Sequence, residues 1–320
     1  MKFGFNSEET GAERTKALET FLRRAFRKQC CCYRKAFKRC QRDFSENSVH
    51  ELRVETRRML ALGTLLRAMW WDDRLAEIER CLKRMFKRLS RLRDTHVQLM
   101  FVEEAQERFP ELAKFHKSLA KREVRLTRRL AASVDKFPLR RVQKLVRSVR
   151  KNHRSRGKRA SSRHNEWSRV CRHLDDAFVR VTKLRSEIDP QDSVTIHRVR
   201  VAFKKFRYLV ELLQSMLTGV TARQIEAMHE YQSMMGEIQD VETLQAALEE
   251  YVSKKKSRLG AHLHFRDYLK KRRTTLVRTY LNHADRLDSF WPTRPAHAPK
   301  HRRQSHKRRT AGETRDAAKG

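Results

Sequence analysis

Residues 196–213 read IHRVRVAFKKFRYLVELL, and they repeat the pattern of residues 49–58, which read VHELRVETRR. Each stretch has the order apolar, His, any residue, apolar, Arg, Val, and each continues into a basic pair. The two histidines, His50 and His197, lie 147 residues apart. These stretches determine our interpretation of the fold, because a pattern that recurs at a fixed offset is the mark of an internal repeat.

A second pair of segments keeps almost the same offset. Residues 89–97 read LSRLRDTHV and residues 231–241 read YQSMMGEIQDV, so that Asp94 and Asp240 lie 146 residues apart. Two separate motifs therefore stay in register over more than forty positions. The sequence predicts a duplicated unit, with two halves related by a pseudo-two-fold axis.

Each repeated stretch has two chemically different faces when it is drawn as a helix at 100° per residue. In the second copy a basic face spans about 80° and holds His197, Arg200, Lys204 and Arg207. The opposite face is apolar and holds Val199, Phe203, Phe206, Val210 and Leu213. The first copy repeats the basic face with His50, Arg53 and Arg57, but Leu60 replaces the last base. We expect the apolar faces to pack and the basic faces to be exposed, either as ordinary solvated surface or as a ladder spaced for phosphates.

The rest of the chain favours an all-α fold. It has 320 residues with only 9 Gly and 6 Pro, too few for the many turns of a β-sandwich or barrel. One predicted helix carries apolar residues in alternating steps of three and four, which is typical of close packing at a shallow angle; they are Leu75, Ile78, Leu82, Met85, Leu89 and Leu92. The first repeated helix is predicted to begin at Ser48, with Glu51 completing a capping box.

Composition also predicts the organisation of the chain. Helical patterns over about 10–150 and 166–290 form the two repeats, and the basic, apolar-poor residues 151–165 are expected to link them. Residues 292–320 carry nine basic and two acidic residues and three of the six prolines. We therefore expect a disordered basic tail over 291–320.

The formal net charge of +37 indicates a polyanion or an anionic surface as the partner. No apolar run is long enough to span a membrane and no apolar leader begins the chain, so a cytoplasmic location is expected.

The six cysteines form no disulfide framework, and adjacent helical cysteines cannot converge on one ion. Reduced thiols and no metal are therefore expected. The cysteines are Cys30, Cys31, Cys32, Cys40, Cys81 and Cys171.

The paired motifs resemble the CHAD family, the conserved histidine α-helical domain. The resemblance covers about residues 10–290, nearly all of the chain outside the predicted tail, and implies two pseudo-symmetric four-helix bundles, a basic central cavity and binding of inorganic polyphosphate. The positions that correspond to the family's signature are His50, Arg53, Arg57, Arg58, His197, Arg200, Lys204, Lys205 and Arg207. The chain departs from the family pattern at Leu60, which is expected to weaken one end of the first ladder. It also departs at Leu89-Ser90, where Leu-Gly is usual, and this change is expected to affect helix packing more than binding.

The histidines and aspartates of the motifs allow more than one role. His50 and His197 are either structural residues or proton-coupled ligands, since neighbouring arginines should depress the pKa of each until an anion binds. Asp94 and Asp240 lie among many bases, and we expect them to orient the ladder side chains rather than to act as acids or bases.

The sequence favours a binding protein over an enzyme. It has no Gly-rich phosphate loop, nucleophile elbow or zinc-protease motif, and Glu77-Ile78-Glu79 lacks the lysine and the strand of a triphosphate-tunnel hydrolase. The predicted function is non-catalytic binding of polyphosphate, with localisation to polyphosphate granules as a further hypothesis. The alternatives are a non-specific nucleic-acid-binding architectural protein and a scaffold for an acidic protein or granule coat.

Overall fold

The computed structural model describes residues 11–70, 72–156, 166–255 and 262–292, and these ranges form helices without any β-strand. The α-helices are α1 (Gly11–Asp43), α2 (Glu46–Met69), α3 (Asp73–Ala105), α4 (Ala113–Asp135), α5 (Leu139–Arg156), α6 (Glu166–Ser186), α7 (Ser193–Leu213), α8 (Ala222–Lys255) and α9 (Leu263–Asn282). Short 3₁₀ turns lie at Pro110–Leu112, Gln214–Met216 and Ala284–Ser289. The predicted all-α class is confirmed.

The start of α2 differs from the prediction. The N-cap is Ser45, whose side chain accepts a hydrogen bond from the backbone N–H of Ser48 at 3.3 Å. Ser48 lies inside the helix, and its hydroxyl donates back to the carbonyl of Ser45. Glu51 pairs with Arg39 of α1 instead of closing a capping box. Two serines three residues apart offer competing caps, and the helix uses the earlier one.

Apolar stripes account for the packing of the helices. Every residue of the predicted α3 seam is at most 2% exposed, and so is every residue of the predicted apolar face of α7. These stripes join α2 to α1 and α3, and α7 to α6 and α8. The two halves of the chain meet where α2 packs against α6 and α7, and where α3 packs against α8.

The apolar core is shared between the halves. The larger cluster combines residues of α1 to α5 with residues of α6 to α9, for example Leu52, Leu82, Phe178 and Phe203. The smaller cluster joins the end of α3 and the start of α4 to α8 and α9. The first half contributes a fifth helix, α5, which packs against α1 and α3. Internal duplication stays a prediction, with α2 and α7 as the corresponding helices.

Two predicted boundaries are wrong. Residues 151–156 continue α5, because these charged and polar residues are compatible with a helix and neither glycine nor proline occurs from Leu139 to Arg156. Trp291, assigned to the tail, is 4% exposed, and its indole N–H donates to Asp175 at 2.8 Å. The remaining parts of the predicted linker and tail, 157–165 and 293–320, lie outside the described residues.

The structure also bears on cysteine pairing, metal sites and membrane-spanning helices. The six cysteines, all within the described ranges, form no disulfide bond. Within the described ranges, no group of three or more His, Cys, Asp or Glu side chains is placed to hold a metal ion. No helix in those ranges is both long enough and apolar enough to cross a membrane.

Candidate functional site

The packing of α2 against α7 brings the two repeated motifs together. Arg53 and Arg57 of α2 lie close enough to Arg200 and Lys204 of α7 for their charges to repel one another. Asp94 of α3 and Asp240 of α8 face the same group. We call these residues the basic cluster: Arg53, Arg57, Asp94, Arg200, Lys204 and Asp240. Two segments that are far apart in sequence thus contribute to one site.

Arg53 and Arg57 of α2 contact side chains of α3. The guanidinium carbons of Arg53 and Arg57 lie 5.4 and 5.0 Å from the ring centroid of Phe86. Arg53 Nε also donates to Ser90 Oγ at 3.2 Å. Ser90 therefore contacts the basic cluster directly, and the expectation that this departure affects packing more than binding stays a prediction. Sequence reasoning missed Phe86, although its spacing of four and eight residues from Ser90 and Asp94 places all three on one helical face.

Arg200 occupies the corresponding place on α7 and lies over Gly236 of α8. A Cβ built on Gly236 would lie 3.9 Å from the Arg200 guanidinium. Gly236 therefore leaves room for the Arg200 side chain, but it has no hydroxyl that could accept a hydrogen bond from that guanidinium. The buried Nε of Arg200 has no hydrogen-bond partner among the described residues. A buried donor without an acceptor is costly, and a ligand oxygen would remove that cost.

Lys204 is the most perturbed base of the cluster. Its side chain is buried, and burial lowers its pKa to about 5, with repulsion from Arg57, Arg200 and Arg53 contributing further. Burial similarly lowers the pKa of Arg53 to about 10, and Arg57 adds to that effect. Guanidinium groups still remain charged at neutral pH, so the positive charge of the cluster resides on its arginines.

The two aspartates are desolvated as well. Asp94 is exposed, yet desolvation by the surrounding protein raises its pKa, while Arg53 and Arg200 act in the opposite direction. Burial also raises the pKa of Asp240, again opposed by Arg200 and Lys204. Both carboxylates are close enough to hold the arginines by charge, although that role is a proposal.

The expectation that the basic face of α7 is exposed is wrong at its C-terminal end. Arg207 is 3% exposed. It donates to Gln232 Oε1 at 2.9 Å and pairs with Glu211, which also binds His229 at 2.7 Å. Arg207 is therefore already saturated by protein groups. This end of the basic face of α7 packs against α8. The periodicity of α7 by itself does not show that a second helix covers this side.

Two other predicted site residues point away from the basic cluster. Arg58 and Lys205 are exposed, and Arg58 pairs with Glu55 at 2.7 Å. Arg58 lines a separate open groove of about 1410 Å³ between α1, α2, α7 and the start of α8. Bases of α1 on the rim of this groove include Arg23, Arg24, Arg27 and Lys28.

The motif histidines lie near the helix starts. His50 has solvent access, but surrounding protein desolvates the ring and lowers its pKa, and Arg93, Arg53 and Arg57 lower it further. This is the predicted direction, with desolvation as the larger cause. His197 contacts the side chain of Gln239 through Nδ1. Arg93 and Gln239 occupy corresponding places in the two repeated segments. A ligand role for either histidine stays a prediction.

Fold and site together define an all-helical protein with a polycationic cluster formed by its two halves. The family model for the CHAD domain matches residues 14–249, and the chain belongs to that family. A crystal structure of the CHAD domain from the plant Ricinus communis is similar, with a TM-score of 0.62, 16% identity, and coverage of 85% of this chain and 90% of that chain. At this identity the likeness concerns the fold. Comparison with curated proteins gives no match.

Proposed function

We propose that this protein binds inorganic polyphosphate without catalysis and that the basic cluster is the binding site. The observation that supports the proposal most strongly is the cluster itself, in which, among the described residues, four bases from α2 and α7 face the two carboxylates Asp94 and Asp240. Among the described residues, the buried Nε of Arg200 has no hydrogen-bond acceptor. CHAD domains are associated with polyphosphate in general, which agrees with this assignment.

The placement of the bases favours a thin, flexible polyanion over a duplex. Arg53, Arg57 and Arg200 are half-buried, and Lys204 is only 9% exposed. A linear phosphate chain is thin enough to reach half-buried groups and to offer oxygens to several guanidinium groups, which bind phosphate in a bidentate manner. A duplex carries its phosphates on the outside of a rigid cylinder, so it would reach mainly the exposed bases. Polyphosphate that accumulates in cytoplasmic granules would then recruit the protein to them.

The proposal is tested by direct competition between long-chain polyphosphate and duplex DNA at about 0.15 M salt, with the concentrations matched by phosphate. Two double variants provide a charge-matched comparison. Arg57→Ala with Arg200→Ala removes two bases of the cluster, whereas Arg58→Ala with Lys205→Ala removes two exposed bases outside it. Both variants lose the same charge.

We expect the cluster variant to lose most of its polyphosphate affinity and the exposed variant to lose little, while DNA binding falls alike in both. If both variants lose polyphosphate affinity equally, binding follows net charge and the cluster is not the site. If the wild-type protein holds DNA as firmly as polyphosphate from 0.05 to 0.3 M salt, the nucleic-acid alternative replaces the proposal.

A further inference from the structure

Lys204 is the one base of the basic cluster that can give up its charge. The guanidinium groups of Arg53, Arg57 and Arg200 remain protonated in proteins, whereas a lysine ammonium readily becomes a neutral amine when it is buried. Lys204 is 9% exposed and lies among those three arginines, with Arg207 one turn further along α7. Loss of the lysine proton therefore relieves the repulsion at the smallest cost.

The acids around Lys204 do not offset this repulsion. Asp240 of α8 faces Lys204 but also faces Arg200, and Asp94 of α3 faces Arg53, Arg57 and Arg200. On α7 itself, Glu211 is occupied by Arg207 and by His229 of α8. In agreement with this arrangement, burial and the three arginines lower the pKa of Lys204 to about 5.

We propose that Lys204 is a neutral amine in the unliganded protein near neutral pH and takes up one proton when a phosphate polymer enters the basic cluster. Bound phosphate supplies the negative charge that the cluster lacks, so the ammonium form becomes the stable one. Binding then consumes a proton from solvent, and affinity falls as the pH rises. This inference rests on the proposed function for the binding step, but not for the state of the free amine.

Linkage between proton uptake and binding fixes the direction of the pH dependence. When a protein group takes up one proton as a ligand binds, the affinity falls by up to tenfold per pH unit between the pKa of that group in the free protein and its pKa in the complex. Here the lower limit of the range is about pH 5. His50, whose pKa is lowered by desolvation and by Arg93, Arg53 and Arg57, can contribute to the same pH dependence. The contribution of Lys204 is therefore the difference between the wild-type protein and Lys204→Arg, which keeps a permanent charge.

Proton uptake is measured by isothermal titration calorimetry of long-chain polyphosphate at pH 8 in buffers of different ionisation enthalpy. We expect the wild-type protein and Lys205→Arg to take up about one proton more than Lys204→Arg. Equal uptake by all three, with binding retained, overturns the inference and leaves the proposed function intact. If polyphosphate does not bind at all, the proposed function fails and the coupling fails with it.

A second measurement needs no variant, which matters because a buried guanidinium at position 204 could prevent folding. The unliganded wild-type protein is pulsed with trace acetic anhydride between pH 7 and 9, and modification at each lysine is read by mass spectrometry. A neutral amine reacts at a rate that is independent of pH, whereas a lysine that remains ammonium reacts about tenfold faster per pH unit. We expect a flat profile at Lys204, a rising one at the adjacent, exposed Lys205, and protection of Lys204 by polyphosphate. A profile at Lys204 that rises as steeply as that at Lys205 overturns the inference.

Discussion

Phe86 supports both arginines that α2 contributes to the basic cluster, and its replacement tests whether their placement matters beyond their charge. The ring lies 5.4 Å from the guanidinium of Arg53 and 5.0 Å from that of Arg57. A cation–π contact contributes about 0.5–1 kcal/mol at an exposed site and about 2 kcal/mol when it is desolvated. Phe86→Leu keeps an apolar side chain on α3 but removes the π-face from beneath the two arginines.

The two contacts together amount to about 1–2 kcal/mol for half-buried arginines, which corresponds to a loss of about 5- to 30-fold in polyphosphate affinity. The affinity is measured by fluorescence anisotropy with labelled polyphosphate across a series of salt concentrations. No charge is removed, so the slope of log affinity against log salt should stay as in the wild-type protein. Arg57→Ala, by contrast, should reduce that slope by roughly one.

Phe101→Leu is the matched control. The guanidinium of Arg272 lies 5.0 Å from the Phe101 ring, so the same kind of contact is lost at a place outside the basic cluster. We expect its polyphosphate affinity to equal that of the wild-type protein. Unchanged affinity in a folded Phe86→Leu variant, or an equal loss in Phe101→Leu, would refute the idea that ring support places the arginines for binding.

Three further predictions follow from the structure and the sequence. Arg207→Ala should lower the free energy of unfolding by about 1–3 kcal/mol, because Glu211 and Gln232 lose a buried partner. The polyphosphate affinity of the folded variant should be unchanged. A loss of affinity as large as that of Arg57→Ala would show that Arg207 belongs to the binding site. Gly236→Ser should raise the melting temperature by about 2–4 °C, since a hydroxyl there would accept from the unpartnered Nε of Arg200; an unchanged or lower value would show that the hydroxyl does not reach it. Removal of residues 292–320 should weaken polyphosphate and duplex DNA binding by a similar modest factor and flatten both salt dependences; a loss confined to polyphosphate would make the tail the recognition element.

The sequence by itself determined the helices and their apolar sides. The seam of α3 and the apolar face of α7 are buried as their spacing predicted, because helical periodicity is a local property that fixes which side chains share a face. Helix ends were less certain, since several polar residues compete to cap one terminus. Ser45 caps α2 in place of Ser48, and α5 extends to Arg156 beyond its predicted end.

Only the tertiary structure decided what each basic face meets. The sequence placed Lys204 and Arg207 on one face of α7, but packing buries both, and Glu211 saturates Arg207. Packing also places Phe86 beneath the arginines of α2 and Gly236 beneath Arg200. A helical pattern gives the direction of a side chain from its own axis and contains nothing about the neighbouring helix. Burial, and with it the lowered pKa of Lys204, arises only when α2, α3, α7 and α8 come together and exclude water from the groups between them.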